Sequence, residues 1–500
     1  MIDISGIDAR QLRTDARNGK LSVEQLLDII EKQQQTIRRL EAKAKRLTER
    51  LAQYEPEVRH EASSRAVDSE RPSTSYSLDA ETKRRQRRKR RRKKKSPGRQ
   101  PTAVKFAEAA RYQDIYPDGV RRADCQLVRE RAVWRLENGR AVRVGYRIFA
   151  GPGGAEPRIL GVTPRCEYGI EILVVLAFLV YIIGISLDKA CAVLGFFCQL
   201  PLAKSQADAL LRQLAQYWDR EFDVLCDLIA YAAVVYLDGT SWKIGTQSCS
   251  LLAIASELER VFLFGCHMDD DTLDEMLPPA VFDGIAVTDD ANIFRGRFTR
   301  TQKCWAHLLR KAIRLALLYP RKTIYRRFLD RLLELYNDAK CVANDGRLGE
   351  AGRKHRIVDL EDRLCKLCQP YWQDTTPNMK PQERDFTNLV NELMRLLLAE
   401  ELFTFVLEPG VASTNNFSER ILRSPAQDRK AGRTSKTAAG AHRRSVIVTV
   451  LESLRANLHD FNLTTVLEEV RRWVKEGISL FARRWQALMG TAPAATPNTS

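Results

Sequence analysis

Val234-Val235-Tyr236-Leu237 is an apolar, β-rich run that ends on an acid, Asp238, and Gly239-Thr240-Ser241-Trp242 follow at once. Such a run reads as a buried strand delivering a carboxylate to a sheet rim. A second run of this kind, Gly284-Ile285-Ala286-Val287-Thr288, ends on Asp289-Asp290. A third acid, Glu419, lies in Asn415-Asn416-Phe417-Ser418-Glu419-Arg420, where a helix is expected to start. Two strand-borne aspartates and a helix-borne glutamate suit one divalent-metal site, because Mg²⁺ takes carboxylate and water oxygens. Each acid also has a plainer role open to it. Asp238-Gly239 is a turn former, Asp289-Asp290-Ala291-Asn292 a helix cap, and Glu419 a surface partner of Arg420 or Arg423.

The segments between the acids narrow the fold. Strands are expected at 232–237, 248–255, 261–266 and 285–288, with a helix at 272–277 before the last of them. Three adjacent strands, a helix and a further strand is the order in which a ribonuclease-H-like fold begins. Residues 303–405 read as helical, too much for one crossover, and are expected to be an insertion before the Glu419 helix. A basic loop is expected over 420–444, then helices at 445–458 and 463–478.

Upstream, Val23, Leu26, Ile30, Gln33, Ile37, Leu40, Ala44, Leu47, Leu51 and Tyr54 alternate by three and four, a coiled-coil seam that predicts a homo-oligomer. The net charge of +18 is concentrated: twelve of the thirteen residues from Lys83 to Lys95 are Lys or Arg. That run points to a polyanion, and Arg87, Arg88, Arg90, Arg91, Arg92 and Lys93 are its candidate phosphate contacts. Three β-prone runs follow, the first two joined by Asn138-Gly139, a hairpin signal. Cys125 and Cys166 stand alone there, without zinc-ribbon spacing. Helices are then expected at 168–183, 187–194 and 206–225, which suits either a helix-turn-helix reader or a plain helical connector.

The expected fold class is therefore multidomain α/β. A coiled coil (1–56), a disordered basic linker (57–101), a small β-rich module (102–166) and a helical DNA-binding domain (167–230) precede a ribonuclease-H-like catalytic core. That core is split into 231–302 and 406–480 around the helical insertion 303–405, and 481–500 reads as a disordered tail. Eleven irregularly spaced cysteines suit a reducing, cytoplasmic setting. The longest uncharged apolar run, Ile172 to Ile185, is fourteen residues, short of the ~20 that span a bilayer, so no membrane partner is expected.

Two further stretches add to the acids. Cys304-Trp305-Ala306-His307-Leu308-Leu309-Arg310-Lys311 would bring Trp305, His307 and two cations near the second acid. Cys304 and His307 could pair with Cys365 and Cys368 as a zinc site, but core thiols are the simpler expectation. Beyond Glu419, Arg420, Arg423, Arg429 and Lys430 are candidate contacts to DNA phosphates.

Taken in order, Asp-Gly-Thr-Ser-Trp, Val-Thr-Asp-Asp, Cys-Trp-Ala-His-Leu-Leu-Arg and Asn-Asn-x-x-Glu-Arg-x-Leu-Arg resemble DDE transposases of bacterial insertion sequences, in particular the insertion-sequence sixty-six family. The resemblance covers about residues 165–475. It implies a DNA transposase that cleaves and transfers strands, with Asp238, Asp289 and Glu419 as the catalytic and metal-binding triad and Asp290 in reserve. It implies two Mg²⁺ or Mn²⁺ ions, double-stranded element ends and target DNA as substrates, and a nucleoid-associated location, and it leaves open whether helper proteins of the same element take part. Trp242, Trp305 and His307 are expected to support the site. The alternatives are a DNA-binding protein or repressor derived from a transposase, and a nuclease without strand transfer.

Overall fold

The structure, a computed structural model, describes residues 100–490 except 155, 164 and 165. The expected coiled coil, nearly all of the linker and the basic run with Arg87, Arg88, Arg90, Arg91, Arg92 and Lys93 lie outside the described residues. Two compact units are present. The described part of one comprises 100–172 and 193–201, and that of the other 173–192 and 202–490.

The smaller unit opens with helix α1 (Thr102–Ala107) and a three-stranded sheet of β1 (Arg111–Ile115), β2 (Gln126–Glu137) and β3 (Arg140–Ala150) in the order β1-β3-β2. Asn138 and Gly139 join β2 to β3 with φ of 48° and 78°, the left-handed pair that a two-residue hairpin requires. Val133, Val144, Tyr146, Ile148 and Ile159 form its core. Strand β1 had no sequence signal: Arg-Tyr-Gln-Asp-Ile is almost wholly exposed. Cys125 and Cys166 are free thiols.

Helices α2 (Ile170–Ala177, continued by one wide turn to Ile182), α3 (Leu187–Cys198) and α4 (Lys204–Ile229) follow. Gly195 does not end α3. The helix runs to Cys198, and Gln199 takes the left-handed conformation at φ 57° instead. Helix α4 buries Leu210, Leu214, Trp218, Phe222 and Leu225 within the larger unit, so the boundary expected at residue 230 falls inside that unit. Among the described residues no helix is long and apolar enough to cross a membrane.

The larger unit is built on a five-stranded mixed sheet. Its strands are β4 (Val234–Ile244), β5 (Gln247–Ala255), β6 (Arg260–Cys266), β7 (Ile285–Thr288) and β8 (Arg300–Lys303), with α5 (Asp270–Met276) between β6 and β7. The order is β6-β5-β4-β7-β8. The first three strands are antiparallel, and β4, β7 and β8 are parallel. Helices α6 (Trp305–Leu318), α7 (Thr323–Asn344), α8 (Glu350–Cys368), α9 (Pro381–Leu398) and the short α10 (Thr404–Leu407) pack around a shared core that includes Leu332, Leu364, Leu389 and Leu393. Helix α11 (Asn416–Lys430) then returns the chain to the sheet, followed by α12 (Ala438–Asn457), α13 (Leu463–Glu476) and α14 (Leu480–Met489).

Helix α12 is buried without a break from Arg444 to Leu454, as befits a central helix packed on all sides. Ser445, Thr449 and Ser453, one helical turn apart, accept the backbone N–H groups of Phe264, Phe262 and Arg260 at 2.9, 2.9 and 3.0 Å. Four helical residues rise ~6.0 Å and two strand residues ~6.6 Å, so the hydroxyls keep pace with every second N–H of β6. The outer edge of the sheet is thereby closed.

Two expectations are corrected here. The basic segment after Glu419 is no long loop: α11 continues to Lys430 despite Pro425, and α12 starts at Ala438, capped by the Thr437 hydroxyl, which accepts the Gly440 N–H. The buried ring of Pro425 sits in the helix interior, so packing outweighs the lost N–H. Residues 480–489 are helical rather than a loose tail. Ser479 caps that helix by accepting the Ala482 N–H, and Phe481 is wholly buried.

Candidate active site

Strand β4 pairs in parallel with β7 at Val234↔Ile285, Val235↔Ala286 and Tyr236↔Val287. Asp238 and Asp289 each lie two residues beyond the last of these pairs. Equal offsets on neighbouring parallel strands, ~4.8 Å apart, bring the two acids level. Asp238 is not at a strand end. Strand β4 continues to Ile244 because β5 pairs with it along that length, Asp238 itself facing Ala253. The sheet rim is formed by β7 and β8, which stop level at Thr288 and Lys303 beside the continuing β4.

Glu419 arrives from the far side of the helical insertion. Asn415 is buried and fixes the start of α11: its Nδ2 donates to the Leu237 carbonyl (2.7 Å) and its N–H to Cys304 Sγ (3.1 Å). The Trp305 N–H donates to the Ser413 carbonyl (3.0 Å). Leu237 directly precedes Asp238, so this asparagine ties the first helical turn, and Glu419 with it, to the acid on β4.

The Gly239 N–H donates to Asp238 Oδ1 (2.8 Å), and the Ala291 N–H to Asp289 Oδ1 (3.1 Å). Burial pushes the Asp238 carboxyl up to about 7, and the negative charges of Asp289 and Glu419 add to the rise. Asp238 feels the charges of both other acids, but the three carboxylates do not bring ligand oxygens within 4.8 Å of one another as a group. Arg310 Nη2 donates to both Glu419 oxygens, at 3.0 and 2.9 Å, and His307 Nε2 stands 3.6 Å from Oε1. His307 Nδ1 is buried and has no hydrogen-bond partner.

Asp290 is placed differently. Arg295 Nη2 (2.8 Å) and Arg395 Nη2 (2.5 Å) both donate to its Oδ2. Burial alone would raise this carboxyl; the two guanidinium groups overcome it and hold it low. A cavity of about 550 Å³ opens beside Asp289 and Asp290, lined also by Arg295, His307, Lys311 and Arg395 but not by Asp238 or Glu419.

Of the expected supporting residues, only His307 faces the acids. Trp305 is wholly buried, donates to the Leu402 carbonyl (2.7 Å) and packs on Tyr336 and Phe403. Trp242 is equally buried, donates to Ser435 Oγ (3.2 Å) and lies under the Arg444 guanidinium. Both are core residues, because their periodic spacing points them into packed layers. Among the described residues one group, Cys304, His307 and Glu419, has ligand atoms within 4.8 Å of one another. Cys304 is buried and burial raises its thiol, while Cys368 is pushed up to about 12 by burial within the helical core. The Cys365 and Cys368 pair does not join Cys304 in that group.

Arg420, Arg423 and Lys430 are exposed along α11. Arg429 is instead turned inward: its Nη1 donates to Thr240 Oγ1 (2.6 Å), Ser241 Oγ (2.6 Å) and the Ser241 carbonyl (3.1 Å), locking α11 to β4. Sequence reasoning did not single out Lys303, Arg295 or Arg395, and it quoted Asn415 in the Asn-Asn-x-x-Glu-Arg run without giving it a role. Arg310 had a signal, since it follows His307 by three residues and shares its helix face.

Residues 165–443 match the family model described as Transposase IS66 family. The match spans more than half of the chain, which belongs to that family of transposases. The membership carries DNA as partner and a divalent metal as the general requirement of the family. No curated protein matches the chain.

Proposed function

We propose that the protein is a DNA transposase in which Asp238, Asp289 and Glu419 hold two Mg²⁺ or Mn²⁺ ions. The observation that carries this is the level placement of Asp238 and Asp289, with an Asp238 carboxyl raised to about 7 by burial and by the other two acids. The strand order β6-β5-β4-β7-β8, antiparallel then parallel, supports a ribonuclease-H-like core, and α6–α10 stand as its insertion before the acid-bearing helix. The bound ions would supply activation of an attacking oxygen and charge relief at the leaving oxygen. The three side chains fix where those charges sit, and Asn415 and the Gly239 and Ala291 N–H groups fix the side chains.

In strand cleavage a water oxygen attacks phosphorus, the bond to the 3′-oxygen breaks, and the 3′-oxygen leaves as a hydroxyl. In strand transfer that hydroxyl attacks a target phosphodiester and displaces the target's 3′-oxygen. Neither step needs a covalent protein–DNA intermediate. Arg420, Arg423 and Lys430 lie on the helix that carries Glu419 and are suited to hold flanking phosphates without reading sequence. The basic run from Lys83 to Lys95 and residues 167–230 would grip element ends, with the heptad region pairing subunits. The test is Asp238→Asn with Mg²⁺ and a duplex carrying the element end. Loss of cleavage with duplex binding retained is expected; cleavage at the parental rate would sink the proposal.

A further inference from the structure

We propose that Lys303 is a positioning residue that sets Asp289 by clamping the loop from Thr288 to Phe294. The inference rests on Asp289 acting as a metal ligand. Lys303 ends β8 and pairs with Thr288 across the sheet. It is 1% exposed, which for a lysine requires a local reason. Its Nζ donates to Thr288 Oγ1 (3.1 Å), the Asp289 carbonyl (3.3 Å) and the Phe294 carbonyl (3.2 Å). An ammonium has three protons, and all three are directed at this one loop.

The loop is closed around that point. Thr288 Oγ1 donates in turn to the Asp289 carbonyl (2.9 Å), the Phe294 N–H to the Ala291 carbonyl (2.9 Å), and the Cys304 N–H to the Thr288 carbonyl (2.9 Å). Phe294 is buried and anchors the far end. The main chain of Asp289 is therefore held by Lys303, while its carboxylate is held by the Ala291 N–H. Charge balance comes at longer range from Glu401, Asp290 and Asp289, and burial lowers the lysine's own proton affinity. A buried ammonium costs free energy that a methionine of similar length would not. What the lysine supplies in return is a fixed direction for the backbone that presents the second acid. This is an outer-shell task, and such partners typically change metal affinity by ~10–100-fold when removed.

The experiment uses full-length Lys303→Met, with Thr288→Val as a second variant that removes one acceptor of the same clamp. Without metal or DNA, amide hydrogen exchange of residues 289–294 is expected to accelerate while β4 and β5 keep parental protection. Mn²⁺ affinity by calorimetry is expected to fall about 10-fold. Cleavage should recover at raised Mn²⁺. If Lys303→Met does not fold, Thr288→Val decides by the same measurements. Parental exchange and parental Mn²⁺ affinity in a folded variant overturn the proposal, and so does acceleration spread evenly over the sheet. Asp238→Asn runs alongside. If it binds Mn²⁺ as the parent does, the metal-site reading itself fails; if it loses Mn²⁺ while Lys303→Met keeps it, only the role of Lys303 fails.

Discussion

Arg310 donates from one nitrogen to both carboxylate oxygens of Glu419, at 3.0 and 2.9 Å. The same oxygens are those the third acid would offer to a cation, so the guanidinium competes with metal. The pair is partly exposed, with side chains 52% and 31% accessible, and such pairs are worth ~0.5–1 kcal/mol. Arg310→Ala is therefore expected to bind Mn²⁺ about 2- to 5-fold more tightly in the absence of DNA. Calorimetric titration of the DNA-free protein checks this, and weaker binding would count against competition.

Asp290 and Asp289 are predicted to separate cleanly. Asp290→Asn leaves Arg295 and Arg395 without their shared carboxylate. It should cost about 1–3 kcal/mol of stability and retain Mn²⁺ binding. Asp289→Asn should lose Mn²⁺ with little change in stability. Urea unfolding and calorimetry on the two variants decide; the opposite pattern would transfer the ligand role to Asp290.

The raised Asp238 carboxyl gives a pH dependence with a definite sign. Its folded value is about 7, against ~3.9 in an unfolded chain. Between these values the unfolded chain has released the proton that the folded protein keeps. The unfolded state then binds fewer protons, so stability falls as pH rises. Metal-free protein is expected to weaken from ~pH 4 to about 7 and then to level off, as far as this group contributes. Asp238→Asn should flatten that part of the curve in urea titrations run with a chelator. Equal slopes for parent and variant would remove Asp238 as the cause.

Thr449→Val keeps the shape of a wholly buried side chain and removes the acceptor of the Phe262 N–H. An orphaned buried N–H costs about 1–3 kcal/mol. The urea midpoint should fall accordingly, with far-UV circular dichroism unchanged. A midpoint equal to the parent's would mean that the strand edge finds another acceptor.

Strands β4 and β7 were legible because each is an apolar, β-rich run, although β4 continues past Asp238 to Ile244. Strand β8 was not. Arg300-Thr301-Gln302-Lys303 has no apolar residue, yet its last three side chains are buried. Two of the three are satisfied internally: Gln302 donates to the Leu402 carbonyl and accepts the Phe405 N–H, and Lys303 is bound by the acid loop, whereas the buried Thr301 hydroxyl has no hydrogen-bond partner. Hydropathy cannot register burial that is supported by hydrogen bonds. The same limit explains Asn415, a polar residue whose buried side chain reaches the Leu237 carbonyl, 178 residues away in sequence. Trp242 and Trp305 erred in the other direction. Their proximity in sequence to the acids suggested a role in the site, whereas their bulk places them in the core.

The hydroxyl ladder of Ser445, Thr449 and Ser453 along β6 has a consequence for biosynthesis. The strand it covers ends at Cys266, well before Ser445. At ~5–20 residues per second, a ribosome needs on the order of 10–40 s to make the intervening chain. Throughout that interval the nascent strand has alternate N–H groups without their helical acceptors. Expression yield should then depend on how quickly the C-terminal part is translated, and chaperone demand should be greatest before α12 emerges.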